Sequence, residues 1–578
     1  MNEAYNDLTI ATPACESSDD SILPVARWNV VGWGGIALVF AVGSWIRWTI
    51  ATGDLLWLDE LHTGWAVDSS FGQMLSRSAQ GNQAPLFFGL TWSTIQVLGP
   101  SEFSLRLVSL LTGTLAMGLA ARIVWLRTQS IAGATLTLSL IALDENFIWY
   151  STEARPYALL HLISVVQASC FWRSYERWRA GDSGKVTRHV EHRLSIVGLL
   201  LSSWALVYTH YTGVFLLATE FIFLCSALFV RWLNRELVAG TIKQIFVTLV
   251  LFAVGCMPLL LQMNQALGKP SDWSSVALLN QFTLEQTMNG ICWFGIPLMA
   301  VLFSAATLAV VQRKSSVANR DGCQNIGWLI WVATWFLVPL LLLAALQIWA
   351  GIPIALSRYL SVALIAGPIF AGGLIGSFSR QNRWLAIPLI LLAILLVHVL
   401  NYRLTLNDRF KSHSDRLPYN RIMAWVVQKG QLPLLRHENW KSPIEVINNS
   451  TDKAKWPLFL FGAVIEDASA LSDPDTDFQA YLQFPVRSLY RIDFADRVVF
   501  AGPTIQDQHF DDRYLTDVID QGGAWILVRH HSEVTQEIAN QLEGLVRANL
   551  GNTDATIETN WFGNRDNVIH LISIEIKK

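Results

Sequence analysis

Long apolar stretches alternate with short polar ones along residues 29–402. Each apolar stretch approaches the roughly 20 residues that a helix needs to cross the hydrocarbon of a bilayer. This pattern predicts a polytopic α-helical membrane protein with about eleven transmembrane helices. The predicted spans are 29–50, 104–125, 130–149, 157–175, 194–211, 212–230, 244–262, 290–312, 325–347, 359–377 and 384–402. Composition agrees with this class, since 52% of the residues are hydrophobic and only 15% are charged.

The segment 85–99 is the ambiguous part of the pattern. It is apolar but short, and it is bounded by Pro85 and by Gly99-Pro100. If it lies along the interface and the N-terminus is cytoplasmic, 17 of the Lys and Arg residues before residue 403 fall on the cytoplasmic side and six on the other. Counting it as a span would reverse that bias. The positive-inside rule therefore favours eleven spans, with 85–99 not crossing.

The two ends of the chain differ from the membrane part in composition. Residues 1–26 are polar and acidic, without the features of a signal peptide, and are expected to form a disordered cytoplasmic tail. After residue 402 the chain reads as a soluble domain, 403–578, with β-type runs and one clear amphipathic helix at 532–549. The β-type runs are 444–447, 497–500, 524–528 and 568–574. We predict an extracytoplasmic α/β domain.

Ionisable and aromatic groups gather at the outward helix ends. Asp59, Glu60 and His62 follow the first span among apolar neighbours, where burying a carboxylate is costly. Later outward segments add Gln83, Glu153, Arg155, Tyr157, His210, Tyr211, Arg358 and Tyr359. Carboxylates and lone arginines on one membrane face are typical of a site that binds an anion and takes up a proton.

Six short motifs in this order resemble those of GT-C fold glycosyltransferases. They are Leu58-Asp-Glu60, Ala84-Pro-Leu86, Arg106-Leu-Val-Ser109, Tyr150-Ser-Thr-Glu-Ala-Arg-Pro-Tyr157, Tyr208-Thr-His-Tyr211 and Arg358-Tyr-Leu360. The resemblance covers about residues 29–402. The most similar family is the one that contains protein O-mannosyltransferases, the lipid A aminoarabinose transferase and rhizobial galacturonosyltransferases. It implies a GT-C-like transmembrane domain, 27–402, in a bacterial plasma membrane. It also implies an inverting hexosyl- or pentosyltransferase that moves a sugar from a polyprenyl-phosphate carrier to an extracytoplasmic glycan, lipid or protein. We expect no nucleic-acid partner.

The resemblance also implies residue roles. Asp59 is the first candidate for the general base and Glu60 the second. Arg358, and after it Arg155, would stabilise the departing phosphate. The remaining candidates for binding donor phosphate or sugar are Tyr359, Glu153, Tyr157, His210, Tyr211 and Gln83.

The chain departs from the family pattern at two places. Gln83-Ala84 stands where relatives often have a basic or His residue, which puts a phosphate or metal contact there in doubt. The segment 144–146, Asp-Glu-Asn, replaces small residues and proline. Some relatives bind a divalent metal, for which His62, His210 and Glu153 are the candidate ligands; no other cofactor is expected.

Several residues carry a second interpretation. Arg358 could extend to lipid headgroups, Arg155 could pair with Glu153, and His210 could cap a helix end. Glu220, inside a span, is interpreted as a helix–helix hydrogen-bonding group. The rival function classes are a lipid or glycolipid transporter (a flippase) and a glycan-binding receptor. Against the transporter, the sequence has no internal repeat, and the polar groups lie at helix ends.

Overall fold

We describe the protein from a computed structural model. The described residues are 22–53, 55–80, 83–180, 186–234, 239–267, 320–350, 357–379, 439–462, 483–492, 499–502, 518–530, 555–564 and 567–576. The helices of the membrane part are α1 (Ile22–Gly53), α2 (Leu58–Val67), α3 (Phe71–Gln80), α4 (Pro85–Leu98), α5 (Glu102–Thr128), α6 (Ile131–Leu143), α7 (Glu145–Ser151), α8 (Tyr157–Ala180), α9 (Val186–Thr209), α10 (Val214–Leu233), α11 (Ala239–Leu267), α12 (Arg320–Ala350), α13 (Ser361–Leu364) and α14 (Ala366–Ser379).

Five helical stretches in the described part of the chain are long and apolar enough to cross a membrane. They are Gly32–Gly53, Glu102–Thr128, Tyr211–Leu233, Ile242–Gln262 and Ile326–Leu346. They coincide with five of the predicted spans, and the chain is accordingly treated as an integral membrane protein. The predicted spans 290–312 and 384–402 lie outside the described residues, so the count of eleven stays a prediction.

The helix α4 covers the ambiguous segment 85–99. Its 14 residues give a length of about 21 Å, well short of a hydrocarbon core of about 30 Å. Pro85 is the first residue of this helix. The backbone N–H at that position makes no hydrogen bond within a helix, so proline, which has no N–H, is tolerated there. This length agrees with a segment that does not cross the membrane.

The prediction of one unbroken helix over 130–149 is wrong, because the helix divides at Asp144. The Oδ1 atom of Asp144 accepts a hydrogen bond from the backbone N–H three residues on, and so caps the start of α7. The buried side chain of Arg47 donates to the carbonyls of Ile141 (2.7 Å) and Ala142 (3.2 Å), which end α6. Two polar side chains thus satisfy the backbone groups that a break inside the protein exposes.

The first helix begins earlier than predicted. It starts at Ile22, inside the expected tail 1–26, and Pro24 falls in its first turn, where proline is tolerated. Residues 1–21 of the expected tail lie outside the described part.

The C-terminal part contains a mixed five-stranded sheet. Its strands are β1 (Leu458–Gly462), β2 (Val499–Gly502), β3 (Gly523–His530), β4 (Ala555–Asn564) and β5 (Asn567–Ile576), in the order β2-β1-β3-β5-β4. The first three strands are parallel, and β5 is antiparallel to both β3 and β4. The predicted strands at 497–500, 524–528 and 568–574 correspond to β2, β3 and β5. The predicted helix 532–549 and the boundary at residue 403 lie outside the described residues.

The predicted strand at 444–447 is wrong, since these residues belong to the helix α15 (Lys441–Asn449). Ile444 and Ile447 are buried on one face of that helix, a spacing that suits a helix as well as a short strand. The side chain of Asn439 accepts from the backbone N–H of Ser442 (3.0 Å), which favours the helical start.

The C-terminal part packs onto the short helices α2, α3 and α4 and onto the beginning of α5. One hydrophobic cluster joins residues of these helices, among them Leu61 and Phe88, to Trp440 and Phe484 of the C-terminal part. A Cβ atom placed on Gly64 of α2 would lie 2.4 Å from the ring of Phe484, so the ring packs directly on the helix backbone. The C-terminal part therefore supports the helix that carries Asp59 and Glu60.

Candidate active site

Glu60 is the buried anchor of the candidate site. Its Oε1 accepts from Arg106 Nε (2.6 Å) and from the backbone N–H of Ala154 (2.8 Å). Its Oε2 accepts from Arg106 Nη2 (2.5 Å) and from the backbone N–H of Trp57 (3.2 Å). Neither charged side chain has any exposed surface. The pair is therefore fully hydrogen-bonded, which is the condition under which a buried ion pair is tolerated.

Arg106 also ties the end of the first helix to this anchor. Its Nη1 donates to the carbonyl of Ala51 (3.1 Å) and its Nη2 to that of Leu55 (2.8 Å). A bidentate guanidinium can bind a carboxylate and still donate to carbonyls, which an ammonium could not do in this geometry. One arginine on α5 thus fixes α1, α2 and the 150–156 loop relative to one another.

Asp59 lies beside this anchor but reaches solvent. About a quarter of its side chain (24%) is exposed, and its Oδ2 is 3.5 Å from Arg155 Nη2. Arg155 Nη1 also donates to the Asp59 carbonyl at 3.4 Å. Both carboxylates lie in the first turn of α2, near the positive end of the helix dipole. Of the two acidic side chains, Asp59 is the one with surface available to a substrate.

His62, one turn along α2, is held neutral by its surroundings. Burial lowers its pKa to about 4, and the positive charge of Arg155 acts in the same direction while Asp59 opposes it. Its ring packs at 5.3 Å from that of Trp65. A neutral imidazole beside a guanidinium leaves the Asp59–Arg155 pair as the charged centre of the site.

Aromatic rings from three separate parts of the chain meet in one row. The ring of Tyr157 lies 5.6 Å from His210, and His210 lies 6.0 Å from Tyr359. Tyr150 continues the row at 5.0 Å from Tyr157. The structure thus brings together predicted residues from α8, the 210–213 turn and the 357–360 turn. Side chains from such distant parts of the sequence can form one binding surface.

Two neighbouring residues of the Tyr-Thr-His-Tyr motif have different surroundings. His210 Nδ1 accepts from the backbone N–H of Thr212 (3.2 Å) and lies 2.8 Å from its hydroxyl, which supports the helix-end interpretation. Tyr211 packs against a separate apolar cluster that contains Val207, Cys256 and Leu259. Tyr211 therefore lies with α9 and α11 and does not share the ring contacts of His210.

The remaining candidate residues are Glu153, Gln83 and Arg358. Glu153 is buried (2% exposed), and its carbonyl accepts from the backbone N–H of Arg155 at 2.8 Å. The Gln83 carbonyl accepts from Gln262 Nε2 at 3.2 Å, which connects the first outward loop to α11. Arg358 lies in the 357–360 turn, next to Tyr359, but its side chain is outside the described set.

The described donor atoms do not fit a metal ion. No group of three or more His, Cys, Asp and Glu side chains in the described part of the chain is arranged to hold one. Of the candidate ligands, His210 already uses Nδ1 in its own turn, and His62 lies within the field of Arg155.

Sequence reasoning missed the two buried arginines, Arg47 and Arg106, which hold the site's framework. Both have no exposed surface, and neither is among the residues to which the sequence motifs assign a role. The signal that could have found them is an arginine near the end of a predicted apolar span, which needs partners when it is buried. The interpretation of Glu220 agrees with its contacts, since Gln167 Nε2 donates to Glu220 Oε2 at 2.6 Å between α8 and α10.

Comparisons with known proteins give only distant similarity. No family model matches the sequence, and no curated protein matches it. Among solved structures, the apo form of ArnT from Cupriavidus metallidurans is similar over 95% of this chain and 98% of that one, at 12% identity and a TM-score of 0.47. The same protein bound to undecaprenyl phosphate is similar over 94% and 98%, at 12% identity and a TM-score of 0.45. ArnT is the lipid A aminoarabinose transferase, one of the GT-C proteins that the sequence motifs resemble.

Proposed function

We propose that the chain is an inverting membrane glycosyltransferase that uses a polyprenyl-phosphate sugar donor. In the proposed step, the acceptor hydroxyl gives its proton to Asp59 as its oxygen forms a bond to the anomeric carbon. The bond from that carbon to the phosphate oxygen breaks, and its electron pair leaves with the polyprenyl phosphate. Inversion follows because the new bond forms on the face opposite the one that breaks.

The different burial of Asp59 and Glu60 is the observation that carries this proposal. Glu60 has all its acceptor positions directed at Arg106 and two backbone N–H groups, so it cannot take a proton without breaking a buried ion pair. Asp59 is partly exposed and is held in place by Arg155. We therefore assign proton uptake to Asp59, and we reassign Glu60 from second candidate base to positioning residue.

Positive charge near the leaving group is the second requirement. The departing phosphate gains negative charge, and a guanidinium beside it stabilises the transition state more than the ground state. Arg358 is proposed for this role, because it is adjacent in the chain to Tyr359, whose ring approaches His210. Arg155 is proposed to hold the Asp59 carboxylate in position before the proton moves.

The proposed orientation places Asp59 and the sheet domain on the extracytoplasmic side of a bacterial plasma membrane. The distribution of basic residues supports it, with 17 on one face and six on the other before residue 403. The contact between Phe484 and Gly64 supports placing the sheet domain on the same face as α2.

Release of polyprenyl phosphate from a sugar-loaded carrier by the purified protein is the direct test. Asp59→Asn is nearly isosteric and should lower turnover about 10²–10⁴-fold, the usual contribution of a general base, while carrier binding is kept. Asp68→Asn is the matched control, since Asp68 follows the same helix at its other end, and it should stay within about twofold. Normal turnover by Asp59→Asn, at equal expression and carrier affinity, would reject the assignment.

A transporter remains the alternative, and the buried contact between Gln167 and Glu220 is the observation in its favour. Polar groups inside a membrane bundle often mark a transport path. The release assay separates the two functions, because a transporter would move the loaded carrier between leaflets without cleaving it. Donor cleavage that is unaffected by Glu220→Gln would assign the Gln167–Glu220 contact to helix packing.

A further inference from the structure

A cavity of about 440 Å³ lies far from Asp59, between α5, α8, α12 and α14. It includes Arg127 in the last turn of α5 and Arg177 in the last turn of α8. Both helices begin beside the candidate site, since Arg106 is the fifth residue of α5 and Tyr157 the first of α8. Their 27 and 24 residues correspond to about 40 and 36 Å, so the cavity lies at the opposite membrane face.

One end of the cavity is positively charged. Among the described residues that line it, three are arginines, Arg127, Arg173 and Arg177, and one is acidic, Glu176. Glu176 is already engaged, because its Oε1 accepts from Arg127 (2.7 Å) and from Trp172 Nε1 (2.8 Å). Among the described residues that line this end, positive side chains therefore outnumber negative ones.

The rest of the cavity is apolar and aromatic. Trp172 of α8 and Trp328, Trp331 and Trp335 of α12 line it. On α8 the lining extends from Arg177 back to Val165, a distance of about 18 Å along the helix axis. That is close to half of a hydrocarbon core of about 30 Å. The dimensions suit one acyl chain below a headgroup at the membrane surface.

We propose that this cavity binds one anionic glycerophospholipid from the leaflet opposite Asp59. The phosphate would contact the arginine end, and an acyl chain would lie along the tryptophan-lined part. Negative lipid charge is concentrated in the cytoplasmic leaflet, which is the side with more basic residues in this chain. The site is independent of the proposed transfer chemistry, so its test does not use turnover.

Native mass spectrometry of the purified full-length protein, titrated with phosphatidylglycerol or phosphatidylcholine, tests this proposal. We expect one phosphatidylglycerol to bind in preference to phosphatidylcholine. Arg173→Gln with Arg177→Gln should weaken phosphatidylglycerol binding about tenfold, since each basic residue near a lipid surface contributes measurably. Arg179→Gln is the matched control, because Arg179 is exposed in the same last turn but does not line the cavity.

A second variant tests the apolar part of the cavity separately. Ser169 lines the cavity on α8, and Ser169→Phe should fill it and weaken phosphatidylglycerol binding with both arginines intact. Equal binding of the two lipids, or equal affinity of the double variant and the Arg179→Gln control, would overturn the proposal. Displacement of phosphatidylglycerol by undecaprenyl phosphate that depends on Arg173 and Arg177 would also overturn it, since the occupant would then be the carrier.

Discussion

Nε of Arg106 lies 2.6 Å from Oε1 of Glu60, and neither side chain has any surface exposed to solvent. This pair joins α5 to the first turn of α2, immediately beside Asp59. A buried ion pair of this kind contributes position more than net stability, because desolvation of the two charges offsets most of their attraction. Removing only one of the two charges is strongly destabilising, because the other charge stays buried without its partner.

We expect Arg106→Gln to destabilise the protein by about 3–5 kcal/mol, because it leaves the Glu60 carboxylate buried without its counter-charge. The unfolding midpoint of the purified protein in detergent measures this loss. Arg122→Gln, on the exposed side of the same helix, should leave the midpoint unchanged. Replacing both charges at once, with Glu60→Leu and Arg106→Met, should recover much of the midpoint. Equal midpoints for Arg106→Gln and Arg122→Gln would contradict the assignment of Glu60 as an anchor.

Stability should fall as the pH is lowered from 7 towards 4, partly because of His62. Its pKa is about 4 in the folded protein and about 6.5 when exposed. Between these two pH values the unfolded chain therefore binds more protons than the folded protein, so the free energy of unfolding decreases as the pH falls. In the sheet domain, burial lowers the pKa of His570 to about 4 and acts with the same sign.

Unfolding midpoints of the unmodified protein and of the His62→Gln variant, measured between pH 7.5 and 4.5, isolate the contribution of His62. His62→Gln should reduce the pH dependence by a contribution on the order of 1–3 kcal/mol, and the part that arises from His570 should remain. An unchanged slope in the His62→Gln variant would show that its ring is solvated in the folded protein.

The contact between Gly64 and Phe484 predicts that α2 tolerates no side chain at this position. Gly64→Ala would place a Cβ 2.4 Å from the phenylalanine ring, and forcing such an overlap typically costs about 1–3 kcal/mol. We expect faster proteolysis of the sheet domain and lower turnover. Gly72→Ala is the control, since nothing lies within 4 Å of the added atom. Phe484→Leu should partly rescue Gly64→Ala, because it shortens the side chain that the added methyl group meets. If Gly64→Ala has no effect and Phe484→Leu rescues nothing, the Gly64–Phe484 contact does not form.

The proposed orientation predicts which cysteines are accessible from outside. In a variant without the six native cysteines, Glu445→Cys on the exposed face of α15 should react with a membrane-impermeant maleimide in intact spheroplasts. Arg179→Cys, at the far end of α8, should react only after lysis. The reverse pattern would invert the topology.

The sequence was informative where a single local pattern determines the structure. The five apolar helices and three of the strands follow from hydrophobic runs alone. The break at Asp144 could not be read in this way. It depends on Arg47, which is 97 positions earlier in the chain and satisfies the carbonyls that the break exposes.

The difference in burial between Asp59 and Glu60 could not be predicted from the sequence either. The two residues are adjacent and chemically alike, so no local pattern says which one is buried. The distinction arises because Arg106, 46 residues away, reaches Glu60 and not Asp59. The packing of Tyr211 away from His210 has a similar cause, since it depends on the position of α11. Tertiary partners determine these details.

The hydroxyl of Tyr490 donates to Glu102 at 2.6 Å, across 388 residues of sequence. At about 5–20 residues per second, a ribosome needs roughly 20–80 s to proceed from one partner to the other. In the proposed orientation, the loop that carries α2 is translocated during that interval, before the C-terminal part that covers it has been made. Newly inserted chains therefore pass through a period in which α2 lacks its support. A chaperone or a quality-control protease acting on this protein would meet it in that state.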